Sequence, residues 1–446
     1  MSTRNRAPEP MALSDRFRQG PQKRLDFIPG KMIVKIRREA LEPAAGTLRS
    51  GGARLSARVK ADLPDSVTGP FEYLRANAGL KRATPLFAAA GARIQGLSAA
   101  SAAVLSSVAD SPHEDLAGFT VVSVDPGKEM TKLAKHLSSP AIQFAEPMPA
   151  RWIQRKPMAA ASVQWALSAI GYFSAAHPSK TKAKKVKIAV LDTGIDNTHP
   201  EFKGMIASYD HQGTRTEDVL GHGTHVAGII CAIGKVISGV SSCRLNVWKI
   251  FDDEPEFGDF YVNGERYLRA LGLLADQGSR VVNLSIGGSQ QSRAEALLFK
   301  RLRERNVLPV AAMGNEFLEG NLTSYPAAYD GVIAVGAITS QLRRASFSNT
   351  GNHIWIAAPG HTIISTVPMK KSAHREETEY AVYSGTSMAT PYVAGAAGAF
   401  FAKYSGSTAN QAQTALKNCA KKLAEMSGKP WTKAHGHGLL WLPKLL

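Results

Sequence analysis

Three short segments of this 446-residue chain carry side chains whose types and settings could do chemistry. Asp192 closes an apolar run in Leu-Asp-Thr-Gly, where Gly194 lets the chain turn sharply and leaves the carboxylate at the end of the run. An Asp here could equally cap the next turn. Asp-Thr-Gly also marks aspartic proteases, in which two copies share a proton, but this chain holds one copy. His222 stands between glycines in Gly221-His222-Gly223-Thr224-His225, ahead of Val226, Ile229, Ile230 and Ile233, whose i, i+3, i+4, i+7 spacing predicts a buried helix. Two histidines three residues apart raise metal ligation, yet a zinc site of the His-Glu-x-x-His kind needs i, i+4 spacing and a Glu, and both are absent. Ser387, in Ser384-Gly385-Thr386-Ser387-Met388-Ala389-Thr390-Pro391, precedes a proline tolerated only in a helix's first turn. It therefore lies at a helix start, where free backbone N–H groups and the dipole favour a developing oxyanion; a plain N-cap serine fits the same position.

These residues need a frame. Val186 to Leu191, Val281 to Ile286, Val307 to Met313 and Gly331 to Ile338 are nearly continuous apolar runs alternating with helical stretches, the pattern of a parallel sheet covered on both faces. In such sheets, sites form at the carboxyl ends of the strands. The residues ending these runs are Asp192, Gly287-Gly288 and Gly314-Asn315. Upstream lies a different pattern: a strand at Met32 to Ile36 after a Pro29-Gly30 turn, a second at Gly118 to Val124, a helix-compatible stretch to about Leu137, and a strand at Ile142 to Glu146. Residues 40–115, rich in Ala, Ser, Gly and Arg, read as an insertion of mixed helix and flexible loop, and residues 1–25 as a disordered lead.

Taken together, Asp192, His222 and Ser387 in that chain order, each with flanking glycines, resemble the subtilisin-like serine proteases (S8, subtilases); α/β-hydrolases and chymotrypsin-like proteases order the same residues differently. The resemblance runs from Gln164-Trp165 to Gly436-His437-Gly438-Leu439. It implies a three-layer αβα catalytic domain with a mostly parallel sheet over residues 163–446, and a serine endopeptidase working through an acyl-enzyme. Ser387 would attack the peptide carbonyl, His222 would carry the proton, and Asp192 would orient the imidazole. Asn315 resembles the family's side-chain oxyanion donor, and Met388 its oxidation-sensitive methionine. Substrate would bind as an added strand between a segment near Phe257-Gly258-Asp259 and Ser285-Ile286-Gly287. Glu316 would stand at the rim, and Ser324 near the floor, of the pocket for the side chain before the cut; a Glu316 facing that pocket implies tolerance of basic or polar side chains there.

The family resemblance also implies that residues 26–150 are a small α+β propeptide-like domain that chaperones folding and then inhibits. Its tail, Met148 to Ala161, would cross the active site, with residues 151–162 as a cleavable linker and self-cleavage between Pro147 and Gln164. No cofactor is implied. Calcium is possible, but the loop Ile233 to Val240 lacks the Asn and Asp ligands that calcium-binding subtilisins carry. Glu201 with Gln164 provides poorly for an ion that takes ~6–8 oxygens. The opposing reading is an inactive subtilase fold serving as a binding or regulatory protein, against which all four catalytic positions are filled.

Composition bounds the rest. Apolar residues make up 44% and charged residues 20%, ordinary globular usage that excludes a disordered or fibrous chain. Lys and Arg exceed Asp and Glu by 18, which raises nucleic acid as a partner. The excess is spread over both halves without a recognition motif, and its densest run, Lys180 to Lys187, reads as a solvated approach to a strand. The expected partners are protein or peptide substrates and the chain's own N-terminal domain, with neither nucleic acid nor membrane, in a monomer. Cys231, Cys243 and Cys419 are too few and scattered for a disulfide framework, and the N-terminus lacks the apolar stretch of a secretory signal. Both favour the bacterial cytoplasm; the opposing reading is secretion without a recognisable signal peptide, since propeptides of the subtilase kind are commonest on exported enzymes.

Overall fold

The computed structural model describes residues 24–41, 65–87, 114–154, 156–157, 164–257 and 259–446. The expected disordered lead, Gly258 and most of the stretch 40–115 lie outside the described residues.

The first unit contains β1 (Phe27–Ile36), α1 (Asp65–Ala78), β2 (Arg82–Pro85), β3 (Phe119–Ser123), α2 (Met130–His136) and β4 (Ile142–Pro149). Its strands form an antiparallel sheet in the order β2-β3-β1-β4. Period-two alternation gives this sheet two apolar faces. Met32, Val34, Ile36, Val122 and Ile142 pack against Val67, Phe71 and Leu74 of α1 and Met130 and Leu133 of α2. The intervening Ile33, Phe119, Val121 and Phe144 face the second unit. Two sequence expectations change here. Pro29-Gly30 is a bulge inside β1, where the register with β4 shifts between Phe27 and Met32 and Gly30 has φ 70°, rather than a turn before it. Residues 65–87, read as part of an insertion, supply α1 and the edge strand β2, so they complete the sheet.

A connecting segment holds two short strands, β5 (Trp152–Ile153) and β6 (Lys156–Pro157). The second unit follows with β7 (Lys187–Asp192), β8 (Ile206–Asp210), α3 (His222–Cys231), β9 (Arg244–Lys249), α4 (Gly264–Leu273), β10 (Ser279–Leu284), β11 (Ile286–Gly287), α5 (Arg293–Glu304), β12 (Leu308–Ala312), β13 (Ile333–Ile338), β14 (Ile354–Pro359), β15 (Ile363–Thr366), β16 (Tyr380–Ser384), α6 (Thr386–Lys403) and α7 (Ala409–Cys419). Seven parallel strands run in the order β14-β13-β12-β10-β7-β9-β8. Alternate residues of these runs enter two cores. Ile188, Val190, Val310 and Val335 meet α3 and α6 on one face, while Ala189, Leu191, Val282 and Ala311 meet α4 and α5 on the other. Helix α6 is buried on every side through Ala402, which its Ala and Gly content permits. All three cysteines are buried and unpaired. Among the described residues no helix is long and apolar enough to cross a membrane.

The two units share one apolar core. Phe119 packs edge-on against Phe87 and Phe144, with ring centroids 5.7 and 6.2 Å away, and their cluster continues into Leu268 and Leu271 of α4 and Leu298 and Phe299 of α5. Truncating a buried Phe removes transfer energy and leaves a cavity. Phe119→Ala should therefore lower the stability of the full-length chain by about 3–5 kcal/mol in urea unfolding followed by circular dichroism.

Candidate active site

The carboxyl ends of the parallel strands gather the side chains singled out by sequence. Asp192 is the last residue of central strand β7 and His222 the first of α3; their Oδ1 and Nδ1 atoms lie 2.7 Å apart, both side chains fully buried. The Thr193 N–H also donates to Asp192 Oδ1 at 2.8 Å. A carboxylate at Nδ1 favours the tautomer protonated there, which leaves the Nε2 lone pair free, and among the described residues Nε2 has no partner. Ser387 is the second residue of α6 and its Oγ donates to the Ser285 carbonyl at 2.8 Å. Pro391 is the sixth residue of α6, beyond the first turn in which the sequence reading placed it. Its missing N–H leaves the Ser387 carbonyl without an intrahelical donor. Ser285 Oγ–H fills that role at 2.9 Å. Asn315, just past β12, accepts from Thr386 N–H and Oγ–H at 2.9 and 3.0 Å through Oδ1, while its Nδ2 is buried without a partner.

The cleft beside these groups is filled by the connecting segment. β5 pairs antiparallel with β11, Ile153 opposite Ile286 and Trp152 opposite Gly287, and Gln154 N–H reaches the Ser285 carbonyl at 3.4 Å. On the other edge Val262 N–H donates to the Arg151 carbonyl at 2.8 Å. Past the site, Lys156 and Pro157 pair with Ser384 and Tyr383 of β16. Between the two pairings the Gln154 carbonyl accepts the Ser387 N–H at 3.1 Å. The Gln154 side chain is buried, with Oε1 accepting the Asn315 N–H at 3.0 Å. A Cβ on Gly287 would come within 2.6 Å of both Gln154 Nε2 and Ser324 Oγ, so only glycine leaves room for this side chain.

The structure places Ser285, Gly287 and Ser324 around Gln154, with Ile286 paired to Ile153. Gly258 lies outside the described residues, and the flank opposite β11 is formed by Val262. Only the backbone N–H of Val262 is used, so no side-chain signal in the sequence could have marked it. The Glu316 carboxylate takes N–H groups of Asn315 (2.8 Å), Asn349 (3.2 Å), Trp152 (3.3 Å) and Arg24 (3.3 Å). The Arg24 guanidinium also lies over the Trp152 ring, 5.0 Å from its centroid. His225, the other member of the histidine pair, stacks on Tyr383 and faces the Ile363 and Ala381 carbonyls at 3.1 and 3.2 Å. Among the described residues no three His, Cys, Asp or Glu side chains are grouped to hold a metal.

Fold and site together define a three-layer α/β protein in which Asp192 is bonded to His222 and Gln154 links Ser387 with Asn315. The model of the subtilase family, Peptidase S8, matches residues 183–438, more than half of the chain, and the chain belongs to that family. Fervidolysin of Fervidobacterium pennivorans is 32% identical over 350 residues, 72% of this chain and 48% of fervidolysin. Subtilisin E of Bacillus subtilis (strain 168) is 35% identical over 258 residues, 56% of this chain and 64% of the subtilisin. The chain therefore spans about half the length of fervidolysin and just under two thirds of subtilisin E. The crystal structure of fervidolysin, described as a keratinolytic enzyme related to subtilisin, shares the fold with TM-score 0.69 at 23% identity, covering 96% of this chain and 62% of that one.

The carboxylate considered as a calcium ligand is otherwise engaged. Glu201, fully buried, accepts backbone N–H groups of Gly234, Lys235, Val236 and Ile237 at 3.1, 3.0, 2.6 and 3.2 Å, and Gln164 brackets Ser238 through its N–H and C=O at 2.8 and 3.0 Å. Burial alone would raise the Glu201 carboxyl, but these N–H donors outweigh it and hold its pKa below the ordinary value. Such a group stabilises the fold above the ordinary carboxylate pKa, and that contribution fades as pH falls through the lowered one. Glu201→Ala should thus cost about 1–3 kcal/mol at neutral pH by leaving loop donors unsatisfied. The difference from the parent should shrink below about pH 4, read from thermal melts across pH.

Proposed function

We propose that this chain is a serine endopeptidase made in a self-inhibited form that cuts its own Gln154–Arg155 bond. One observation carries the reading. The Gln154 carbonyl rests on the Ser387 N–H at 3.1 Å, with chain paired to β11 before it and to β16 after it. That is the placement of a peptide about to be attacked. Rotation of Ser387 Oγ away from the Ser285 carbonyl aims it at the Gln154 carbon. His222 Nε2 takes the hydroxyl proton as the bond forms, and Asp192 steadies the resulting imidazolium. Negative charge collects on the Gln154 oxygen, where Ser387 N–H donates and the unpartnered Asn315 Nδ2 is available as a second donor. The C–N bond then breaks, the Arg155 amine leaves with the proton from His222, and water hydrolyses the ester.

In this reading residues 24–154 are the inhibitor, and contacts on their side of the cut support it. Glu146 of β4 caps the start of α5, accepting from Ser292 Oγ, Arg293 N and Ala294 N at 2.7, 2.9 and 3.1 Å, where a carboxylate also meets the positive end of the helix dipole. Lys31 reaches Glu265 of α4 at 3.0 Å. The substrates are peptides able to lie extended against β11, no cofactor takes part, and the loop held by Glu201 does without calcium. Intact-mass and N-terminal analysis of the purified protein should show a new terminus at Arg155, and Ser387→Ala should remain whole; a Ser387→Ala chain cut at the same bond would refute self-cleavage. Asn315→Ala should lower kcat by ~10²–10³-fold with little change in KM, the magnitude known from the matching donor of subtilisin, a member of this family.

A further inference from the structure

Four residues before the chain reaches Arg155, a second side chain of the connecting segment disappears into the second unit. Arg151 is 1% exposed, as buried as the core leucines, which is rare for a charged side chain. Its Nη2 lies 2.9 Å from Glu295 Oε2 and 2.8 Å from the Gln290 carbonyl, and its Nη1 donates to the Ala150 carbonyl at 3.0 Å. Glu295 sits in the first turn of α5 and is itself 1% exposed. Around the pair stand the phenols of Tyr267 and Tyr329, both pushed up by burial, and the carboxylate of Glu146. Among the described residues Arg151 is the cation paired with Glu295. A Cβ on Gly288 would come within 2.3 Å of the Ala150 carbonyl and 2.8 Å of Arg151 Nη1, so only glycine lets the connecting segment and its guanidinium lie this close to the cleft wall.

We propose that Glu295 is the specificity-determining residue of an arginine socket, and that this protein prefers peptide substrates with Arg at the fourth position before the cut. The inference rests on the endopeptidase reading above and adds the substrate class. The physical ground is desolvation. A carboxylate buried this deeply is costly without a counter-ion, and a neutral side chain entering the socket would leave it only the Tyr329 phenol, whereas a guanidinium meets it with a charge-assisted N–H donor. The backbone pairing at Arg151 O and at β11 is blind to side chains, so discrimination must come from the sockets, and this one is the only fully buried ion pair between the connecting segment and the second unit among the described residues.

The test uses the full-length protein carried through its own maturation, with the coumarin peptides Arg-Trp-Ile-Gln and Leu-Trp-Ile-Gln, and a fluorophosphonate probe to titrate reactive Ser387. Expected is a kcat/KM ratio for Arg over Leu on the order of 100-fold, falling to within a few-fold in Glu295→Leu while probe labelling persists. Because Glu295→Leu strands the buried Arg151 and could disturb folding, Arg151→Leu serves as the second variant. It keeps Glu295, so the Arg preference on added peptides should be unchanged while self-cleavage slows by a similar factor. Labelled enzyme that turns over both peptides equally, or a preference that survives Glu295→Leu, overturns the socket and leaves the endopeptidase reading intact. Absence of both labelling and turnover overturns the endopeptidase reading and the socket with it.

Discussion

One antiparallel pairing two residues long, Trp152–Ile153 against Ile286–Gly287, sets the geometry of everything around the site. Side chains in an extended strand alternate, so a slip of a single residue would bring the Ile153 carbonyl to the Ser387 N–H and turn Gln154 out of its pocket. Two residues of ladder are too few to fix register by themselves. Anchors beyond both ends do so. Ala150 N–H is tied to the Asp26 carbonyl at 2.9 Å, Asp26 Oδ1 meets Ser289 and Gln290 at 2.8 and 3.0 Å, and on the far side Lys156 and Pro157 pair with β16. Gln154 and Arg151 then act as two side-chain pegs three residues apart, each buried and each facing a glycine of β11 or its continuation.

The site held in this register is unfinished as a hydrogen-bond network. Asp192 Oδ2, His222 Nε2 and Asn315 Nδ2 are all buried without partners, and each orphan of this kind costs about 1–3 kcal/mol in a folded protein. The surrounding structure holds them there by committing their other atoms: Asn315 Oδ1 to Thr386, His222 Nδ1 to Asp192, and the Ser387 carbonyl to Ser285 because Pro391 cannot serve it. A donor aimed in advance at developing charge needs no reorganisation when the charge appears. The destabilising atoms and the useful ones are the same atoms, offset by the apolar cores that clamp α3 and α6 onto the parallel sheet.

Much of this was legible in the residues. The strand ends at Asp192 and Asn315, the helix starts at His222 and Ser387, and the Ser285–Gly287 edge follow from apolar runs and the glycines that terminate them, because a parallel sheet exposes its chemistry at one end. What escaped has a common cause. Val262 acts through a backbone N–H that any residue would supply. Arg82–Pro85 is an edge strand of four residues with a proline, and reads as loop until β3 is beside it. Glu295 looks like an ordinary acidic residue in the first turn of an amphipathic helix, and only the fold brings Arg151, 144 positions earlier, against it. The Trp152 and Arg24 partners of Glu316 are likewise remote in sequence. Local pattern carries the positions of elements, whereas charge partners depend on contacts across the chain.

The contacts are also unequally divided about the Gln154–Arg155 bond. On the amino side lie the β5 pairing, both side-chain pegs, the Glu146 cap on α5 and the shared apolar core reaching Phe119; on the carboxyl side, among the described residues, lies the two-residue pairing with β16. Cutting that bond would therefore free the weaker side and leave the stronger one in place, with the new Gln154 carboxylate still against Ser387. What changes is that the first unit ceases to be tethered, so its effective concentration at the cleft falls from that of a short linker to that of the solution. Under the proposed self-cleavage, scission and activation would be separate events. The first is set by register at β11, and the second by how fast an interface with a buried ion pair and a full apolar core can come apart or be digested.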